Sequence, residues 1–188
     1  MSLPTADVSV RLAWADDATA ISALQVRAWR ELYADLLPAD VLADLPAAAF
    51  TAQWHQSISR PKEARQRVLV ALERATVRGF AATTPATDDD AHPATDGELV
   101  EFVVDLGQRG AGHGSRLLHA VADTMRQDGF TRGTCWLPAT NDEFRGFLGG
   151  QGWNADGAHR ELDLYGDGSV VVKQVRLHTD LSEQPASE

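Results

Sequence analysis

A glycine-rich turn between an apolar strand and an amphipathic helix constrains this 188-residue chain more than any other feature. The apolar run at 99–104 predicts the strand, and apolar residues at helical spacing across 117–125, closed by Gly129, predict the helix. Between them Gly110, Gly112 and Gly114 remove side chains at alternate positions, where a ligand can then touch the backbone. The amides that open the helix have no intrahelical acceptor and lie at the positive end of its dipole. The turn therefore predicts a site for an anion such as phosphate.

Two common phosphate-binding motifs do not fit this turn. A P-loop requires GxxxxGK[ST], and no lysine follows these glycines, while the dinucleotide fingerprint GxGxxG has a different spacing. Alternating glycines are also typical of a tight strand-to-helix turn that needs them for steric reasons alone.

The segment 109–114 resembles the [QR]xxGx[GA] motif of the GNAT N-acetyltransferase family, because Arg109, Gly112 and Gly114 take its fixed positions. Val104 falls where the last valine of the preceding family strand belongs. The same segment that predicts an anion site is thus similar to the family's cofactor-binding turn.

The resemblance extends over about residues 8–181. A short apolar strand at 134–137 leads to Asn141 and Phe147, as in the family pattern N…F[Y]xxxG[FW]. Near the start, the helix that contains Trp29 and Tyr33 looks like the first helix of a common bacterial branch of the family.

The fold that the resemblance implies is α/β, with a central, mixed, mostly antiparallel twisted sheet of six to seven strands flanked by helices. A splayed strand pair is expected at the cofactor site. A single domain is expected over 1–181, followed by a disordered tail at 182–188.

Local patterns along the chain give further expectations. Helices are expected within 17–58, a strand hairpin with strands at 67–72 and 77–83, and a turn at 163–168. The first helix should bury one stripe, which consists of Ile21, Leu24, Ala28 and Leu32. The segment 85–97 is acidic and carries prolines, so we expect a mobile loop that does not pack.

The activity that the resemblance implies is acetyl transfer from acetyl-CoA to a primary amine of a small molecule or peptide, by direct attack. The glycine turn would hold the pyrophosphate, the strand before it would pair with the pantetheine arm, and an amide of Phe102 or Val103 would stabilise the oxyanion. The implied cofactor-binding residues are Phe102, Val103, Val104, Arg109, Gly110, Ala111, Gly112, His113, Gly114, Ser115, Asn141 and Phe147. Trp29 and Tyr33 are the candidates for the wall of the acceptor site, although aromatic residues on helices usually pack in the core.

The general base is expected on the strand before the glycine turn. Glu98 lies eleven residues before Arg109, where histone-acetylating members of the family place their glutamate base. Glu101 is three residues further along, so strand alternation puts it on the opposite side and only one of the two can face the cleft. Each is also compatible with an ordinary solvated glutamate.

One position departs from the family pattern. Leu148 stands where the family has the tyrosine that protonates the leaving sulfur, and leucine cannot donate a proton. A thiol ionises near pKa 8.5, so the thiolate can leave with little assistance, and Tyr33, Tyr165 or His159 are conceivable substitutes. Four glycines at 146, 149, 150 and 152 also predict a short or frayed helix here.

His113 takes the place of an aliphatic residue in the glycine motif. Its ring would either add a pH-dependent contact to the pyrophosphate or lie partly buried at the helix start with a bond to backbone. The other histidines are scattered, without an HxxxH or CxxC partner, so no metal site is predicted.

The composition indicates the cellular environment and the class of partner. Cys135 is the only cysteine and lies in an apolar run, which indicates a buried, inert thiol and a reducing, cytoplasmic environment. No apolar run is long enough to span a bilayer, and the amino terminus lacks a signal-peptide pattern. The net charge of −10 argues against a nucleic-acid partner; it would attract a cationic amine or merely maintain solubility.

Alternatives stay open at this point. Leu148 motivates an acyl-CoA-binding protein of the same fold with weak or lost catalysis. A nucleotide-phosphate binder would use the same turn, but it lacks a phosphate-binding lysine and an acidic magnesium pair. A homodimer paired through the late strands is possible.

Overall fold

The computed structural model describes residues 8–182, which form a mixed α/β fold with helices flanking a seven-stranded sheet. The strands are β1 (Val8–Leu12), β2 (Arg67–Glu73), β3 (Thr76–Pro85), β4 (Asp96–Val104), β5 (Arg132–Pro138), β6 (Asn154–Asp163) and β7 (Val171–Asp180). The helices are α1 (Ala18–Leu32), α2 (Ala39–Ala43), α3 (Ala47–Ser59), α4 (His113–Gln127) and α5 (Asp142–Gly150).

The strand order is β1-β2-β3-β4-β5-β7-β6. The pairs β1–β2, β2–β3, β5–β7 and β6–β7 are antiparallel, whereas β4 and β5 are parallel, with Glu98 opposite Thr134. The predicted mixed, mostly antiparallel sheet is therefore confirmed. The splayed strand pair stays a prediction.

The chain forms two compact units. The first combines the residues up to Thr83 with Glu101–Val121, and the second combines Thr84–Val100 with the residues from Ala122 onward. The single domain over 1–181 stays a prediction, and residues 183–188 of the expected tail lie outside the described part of the chain. Ser182, the last described residue, donates its amide hydrogen to Asp180 Oδ1 at 2.8 Å.

The core of the first unit forms where α1 packs on the sheet. Ile21 and Leu24 of the predicted stripe are buried there together with Val103 of β4, and Ala28 is partly buried against the same cluster. Leu32 is instead 37% exposed, which corrects the prediction. Leu32 is the last residue of α1 and lies one turn beyond Ala28, which is itself only partly buried.

The predicted hairpin of β2 and β3 is confirmed, and its turn places Arg74 in the left-handed region at φ 56°. Further along β3, a Cβ on Gly79 would lie 2.8 Å from the carbonyl oxygen of Val103. Since backbone cannot yield as a flexible side chain does, glycine allows this close approach. The approach positions the end of β4, where the glycine-rich turn begins.

In the second unit, β6 and β7 form the predicted late hairpin around residues 163–168. The helix α5 is short, with nine residues, as its glycines predicted. It begins at Asn141, whose Oδ1 accepts a hydrogen bond from the Phe144 amide at 3.1 Å. Cys135 is a free, buried thiol, as predicted.

The expectation that 85–97 would not pack is wrong at both ends of the segment, whereas most of 87–95 is exposed. Pro85 belongs to β3, and Asp96 with Gly97 begins β4. Ala86 is fully buried, and its amide donates to the Asp96 carbonyl at 2.8 Å. Two acidic residues of this segment, Asp88 and Asp90, contact a buried arginine of β7, Arg176. No helix within residues 8–182 is long and apolar enough to cross a membrane.

Candidate functional site

The end of β4 is anchored by Asp105, a residue that sequence reasoning missed. Its amide donates to the Arg78 carbonyl at 2.7 Å. Its carboxylate lies 3.4 Å from Arg78 Nη1 and 3.7 Å from an Nη of Arg27. Asp105 thus fixes where the following turn starts, because its carboxylate contacts Arg78 of β3 and Arg27 of α1.

The glycine-rich turn is left-handed at two positions. Gly110 has φ 80° and Gly112 has φ 82°, values that L side chains rarely adopt. The helix α4 starts immediately afterwards at His113, and Gly114 lies in its first turn. The amides of this first turn have no acceptor within the helix, so the turn presents donors to an anion.

His113 is buried, with 1% of its surface exposed. Its Nδ1 has no hydrogen-bond partner among the residues that the structure describes. The expected bond to backbone is therefore not made by this nitrogen. A buried, unsatisfied ring nitrogen typically costs about 1–3 kcal/mol until something bonds to it.

Arg109, the first residue of the motif, is 44% exposed. Its Nη1 lies 3.4 Å from Glu31 Oε1, near the end of α1. The ion pair joins the turn to the same helix end that carries the predicted aromatic wall.

The two aromatic residues predicted for that wall lie in contact with each other, and their role at an acceptor site stays a prediction. Tyr33 caps the C-terminus of α1, and its ring meets Trp29 edge-on at a centroid distance of 5.8 Å. Trp29 also packs edge-on against Phe50 of α3 at 5.2 Å. Burial, followed by the charge of Glu101, raises the pKa of Tyr33, so its phenol stays protonated at neutral pH.

The two glutamates of β4 have different surroundings. Glu98 is 9% exposed, and burial together with the charge of Asp88 raises its pKa, against the opposing influence of Arg160 and Arg176. Glu101 is half-buried, and burial raises its pKa to about 7.

A buried ion cluster around Arg176 of β7 was not anticipated from the sequence. Arg176 is 5% exposed and contacts three carboxylates: Asp88 at 3.2 Å, Asp90 at 2.7 Å and Asp156 at 2.7 Å. Its guanidinium holds the pKa of Asp90 down to about 2. The signal in the sequence was an arginine in a predicted strand, which needs carboxylate partners once it is buried.

Trp136 completes this cluster. Its Nε1 donates to Asp88 at 2.9 Å, and its register partner on β7 is Arg176. The guanidinium of Arg160 lies over the Trp136 ring at 4.2 Å. The 86–90 segment is therefore fastened to β5, β6 and β7 at the Glu98 end of β4.

Residues 26–160 match the Acetyltransferase (GNAT) family. The chain belongs to this family. The uncharacterized N-acetyltransferase YuaI of Bacillus subtilis (strain 168) is 29% identical to this GNAT protein over 135 residues, which are 71% of this chain and 73% of YuaI. Acetyl-CoA is the acyl donor of the family, so the predicted cofactor is confirmed at the family level.

Two solved structures have the same fold. The PaiA N-acetyltransferase of Thermoplasma acidophilum, in complex with coenzyme A, has a TM-score of 0.68 at 14% identity, covering 93% of this chain and 99% of that one. YncA of Salmonella typhimurium, solved with acetyl-CoA, has a TM-score of 0.69 at 17% identity, covering 97% of this chain and 98% of that one.

Two of the GNAT positions, Asn141 and Phe147, make contacts within the chain at α5. The side chain of Asn141 caps the helix, and Phe147 stacks on Phe144 at 6.3 Å between centroids. Leu148 is fully buried and offers no proton. Of its conceivable substitutes, Tyr165 is 51% exposed in the β6–β7 turn and His159 lies on β6, whereas Tyr33 is close enough to β4 to sense the charge of Glu101.

The described residues contain no group of three or more His, Cys, Asp or Glu side chains that could hold a metal ion.

Proposed function

We propose that this GNAT protein transfers the acetyl group of acetyl-CoA to a primary amine of a small molecule or peptide, by direct attack without a covalent enzyme intermediate. The observation that carries the proposal is the pair of left-handed glycines, Gly110 and Gly112, leading into the N-terminus of α4. Such a turn brings backbone donors to a diphosphate without interference from side chains.

The residues of the turn fit this ligand. A Cβ on Gly112 would lie 3.0 Å from Arg116 Nη1, so glycine keeps the space before the helix open. The amides of His113, Gly114 and Ser115 would bind phosphate oxygens, with Ala111 shaping the turn between the two left-handed glycines. A phosphate or a water bound to it would also satisfy His113 Nδ1, which otherwise stays buried without a partner.

The end of β4 would complete the donor site. The backbone of Phe102, Val103 and Val104 would pair with the pantetheine arm as an added strand would. Acetyl-CoA supplies a thioester, and the amide of Phe102 or Val103 would stabilise its oxyanion, a contribution of roughly 3 kcal/mol in other enzymes. That Asn141 and Phe147 also touch the cofactor stays a prediction.

The acceptor must lose a proton before it attacks, because an amine is largely an ammonium ion at neutral pH. A carboxylate of β4 would take this proton. Glu98 is the candidate from the family position, and Glu101 is the second candidate. Trp29 and Tyr33 would wall the amine, and the net charge of −10 favours a cationic acceptor.

The family supports a soluble setting, and we also propose that the protein is cytoplasmic. We propose further that it forms a homodimer through the late strands.

A second function, acyl-CoA binding with weak or lost catalysis, is favoured by one observation. Leu148 is buried and no phenol replaces it at that position. Loss of a general acid typically costs about 100- to 10,000-fold when protonation limits the rate.

Calorimetry with coenzyme A and a thiol-release assay with acetyl-CoA across a panel of primary amines test the proposal. We expect CoA binding and an acceptor-dependent rate. Gly112→Ala should weaken CoA binding roughly tenfold, because a left-handed backbone costs an L residue about 1–2 kcal/mol.

Gly107→Ala is the matched control. Gly107 precedes the motif in the same turn, and its φ is not positive. A Cβ added there would meet no atom within 4 Å, so the affinity of this variant for CoA should be unchanged. A wild-type protein that ignores millimolar CoA would contradict the proposal. Binding without turnover for any amine would favour the non-catalytic alternative, and equal competition by ATP would favour a general phosphate binder.

A further inference from the structure

We propose that Glu101, rather than Glu98, is the catalytic carboxylate that takes the proton from the acceptor ammonium, at a site it shares with Tyr33. This assignment rests on the acetyl transfer proposed above and names the residue that performs one of its steps.

The position of Glu101 follows from the alternation of β4. Val103 is buried in the core cluster against Ile21 and Leu24 of α1. Side chains two apart share a face of a strand, so Glu101 lies on the face that α1 covers. Tyr33 ends that helix, and the charge of Glu101 contributes, after burial, to the raised pKa of its phenol. Glu101 therefore lies with the predicted aromatic wall.

Glu101 is also next in sequence to the amides assigned to the oxyanion. Phe102 and Val103 follow it directly, and their backbone is expected to hold the acetyl-bearing arm. A base one residue away from these donors, on the face that carries the wall of the acceptor site, is placed to meet the nitrogen that attacks.

Among the described residues of the first unit, no cation forms an ion pair with Glu101. The arginines of the neighbouring elements are engaged by other carboxylates: Arg27 of α1 and Arg78 of β3 pair with Asp105 at 3.7 and 3.4 Å. Arg109 lies 3.4 Å from Glu31. Among the described residues Glu101 has no hydrogen bond or ion pair of its own, and its half-buried carboxylate is left to exchange protons.

Burial without a partner raises the pKa of Glu101 to about 7. A general base works best with a pKa near the working pH, because it is then both ionised and basic enough to accept a proton. Tyr33, whose pKa is raised above its usual value, remains neutral and adds no competing charge.

Glu98 has different neighbours. Burial raises its pKa, as it does for Glu101, but Arg160 and Arg176 act against this rise. Asp88 adds to the rise in pKa and is itself bound to Arg176 and Trp136. Glu98 is thus under the influence of two arginines that also pair with Asp88, whereas burial is the sole influence on the pKa of Glu101.

The proton balance of the step is complete. Glu101 takes one proton from the ammonium and passes it to solvent. The free amine then forms the C–N bond as the C–S bond breaks, and the second amine proton ends on the CoA sulfur. No further reactant is needed.

Steady-state kinetics of Glu101→Gln and Glu98→Gln across about pH 6–9 test the assignment. Glu101→Gln should lower kcat by about 100- to 10,000-fold. It should also remove the rise of kcat through pH 7 while leaving CoA affinity unchanged. Glu98→Gln should retain this rise. Glu161→Gln, which changes an exposed glutamate of β6, is the control and should match the wild type.

A carboxyl carbon NMR titration of Glu101 in the CoA-bound protein gives a second readout that needs no acceptor. We expect its midpoint near 7, whether or not an acceptor is known. A midpoint near the ordinary glutamate value would overturn the assignment, as would a pH rise that is lost in Glu98→Gln and kept in Glu101→Gln. If no amine raises thiol release in the wild type, the proposed transfer fails, and the titration still decides whether Glu101 has the required basicity.

Discussion

Arg176 shows how one buried side chain organises a segment that looks disordered in the sequence. Taking ions out of water costs several kcal/mol per ion, and the cost is offset only when partners and geometry are complete. Asp88, Asp90 and Asp156 supply these partners. Removal of the cation would leave carboxylates crowded together.

Arg176→Met should therefore lower the free energy of unfolding, because Asp88 and Asp156 lose a buried cation and keep only their weaker contacts with Arg160, Trp136 and Arg132. Urea denaturation at neutral pH measures the loss. Arg145→Gln, which removes an exposed pair with Asp142, is the control and should change stability by less than about 1 kcal/mol. A methionine variant as stable as the control would show that the cluster contributes little.

At the scale of elements, α5 and β3 use glycine for opposite reasons. Gly149 lies in the helix, and an added Cβ would meet no atom within 4 Å. Its lack of a side chain there only raises the entropy cost of folding. Gly79, in contrast, permits the contact between the backbones of β3 and β4.

Gly149→Ala should stabilise the protein by about 0.5–1 kcal/mol, the difference in helix propensity between the two residues. Gly79→Ala should destabilise it, because the new methyl group would lie 2.8 Å from the Val103 carbonyl. Thermal denaturation of both variants gives the comparison. Destabilisation by the helix substitution would indicate that α5 needs its glycine for a contact outside the described residues.

At the scale of the whole molecule, the free energy of unfolding should decrease both as pH rises and as pH falls. The folded pKa of Glu101 is raised from 4.5 to about 7, so the folded state binds more protons than the unfolded state in this interval. Stability should therefore fall as pH rises from about 4.5 to 7. Asp90, lowered from 3.8 to about 2, and Asp156, also lowered, act oppositely and lose their contribution as pH falls below about 4.

We expect the free energy of unfolding to be largest near pH 4–5 and to decrease by about 1–3 kcal/mol by pH 8. One pKa unit corresponds to about 1.36 kcal/mol. The lower part of the range allows for solvent screening, because Glu101 is only half-buried. Chemical denaturation at a series of pH values measures this curve. Glu101→Gln should flatten its alkaline side and make the protein more stable than the wild type at pH 8. An unchanged alkaline slope would contradict the unpartnered state of this carboxylate.

The sequence by itself determined the parts whose causes are local. The β4 strand, the left-handed glycines and the start of α4 could be predicted because propensity, spacing and backbone geometry act within a few residues. The same holds for the hairpin at Arg74, and the motif spacing was specific enough to indicate the family.

Only the tertiary structure decided where charged groups meet. Asp88 and Asp90 are held because Arg176, far along the chain, contacts both of them. Glu101 differs from Glu98 because α1 brings Tyr33 to one of them, while Arg160 and Arg176 approach the other. Burial and electrostatic partners depend on residues distant in sequence, and no local pattern encodes which of two similar carboxylates is left without a cation.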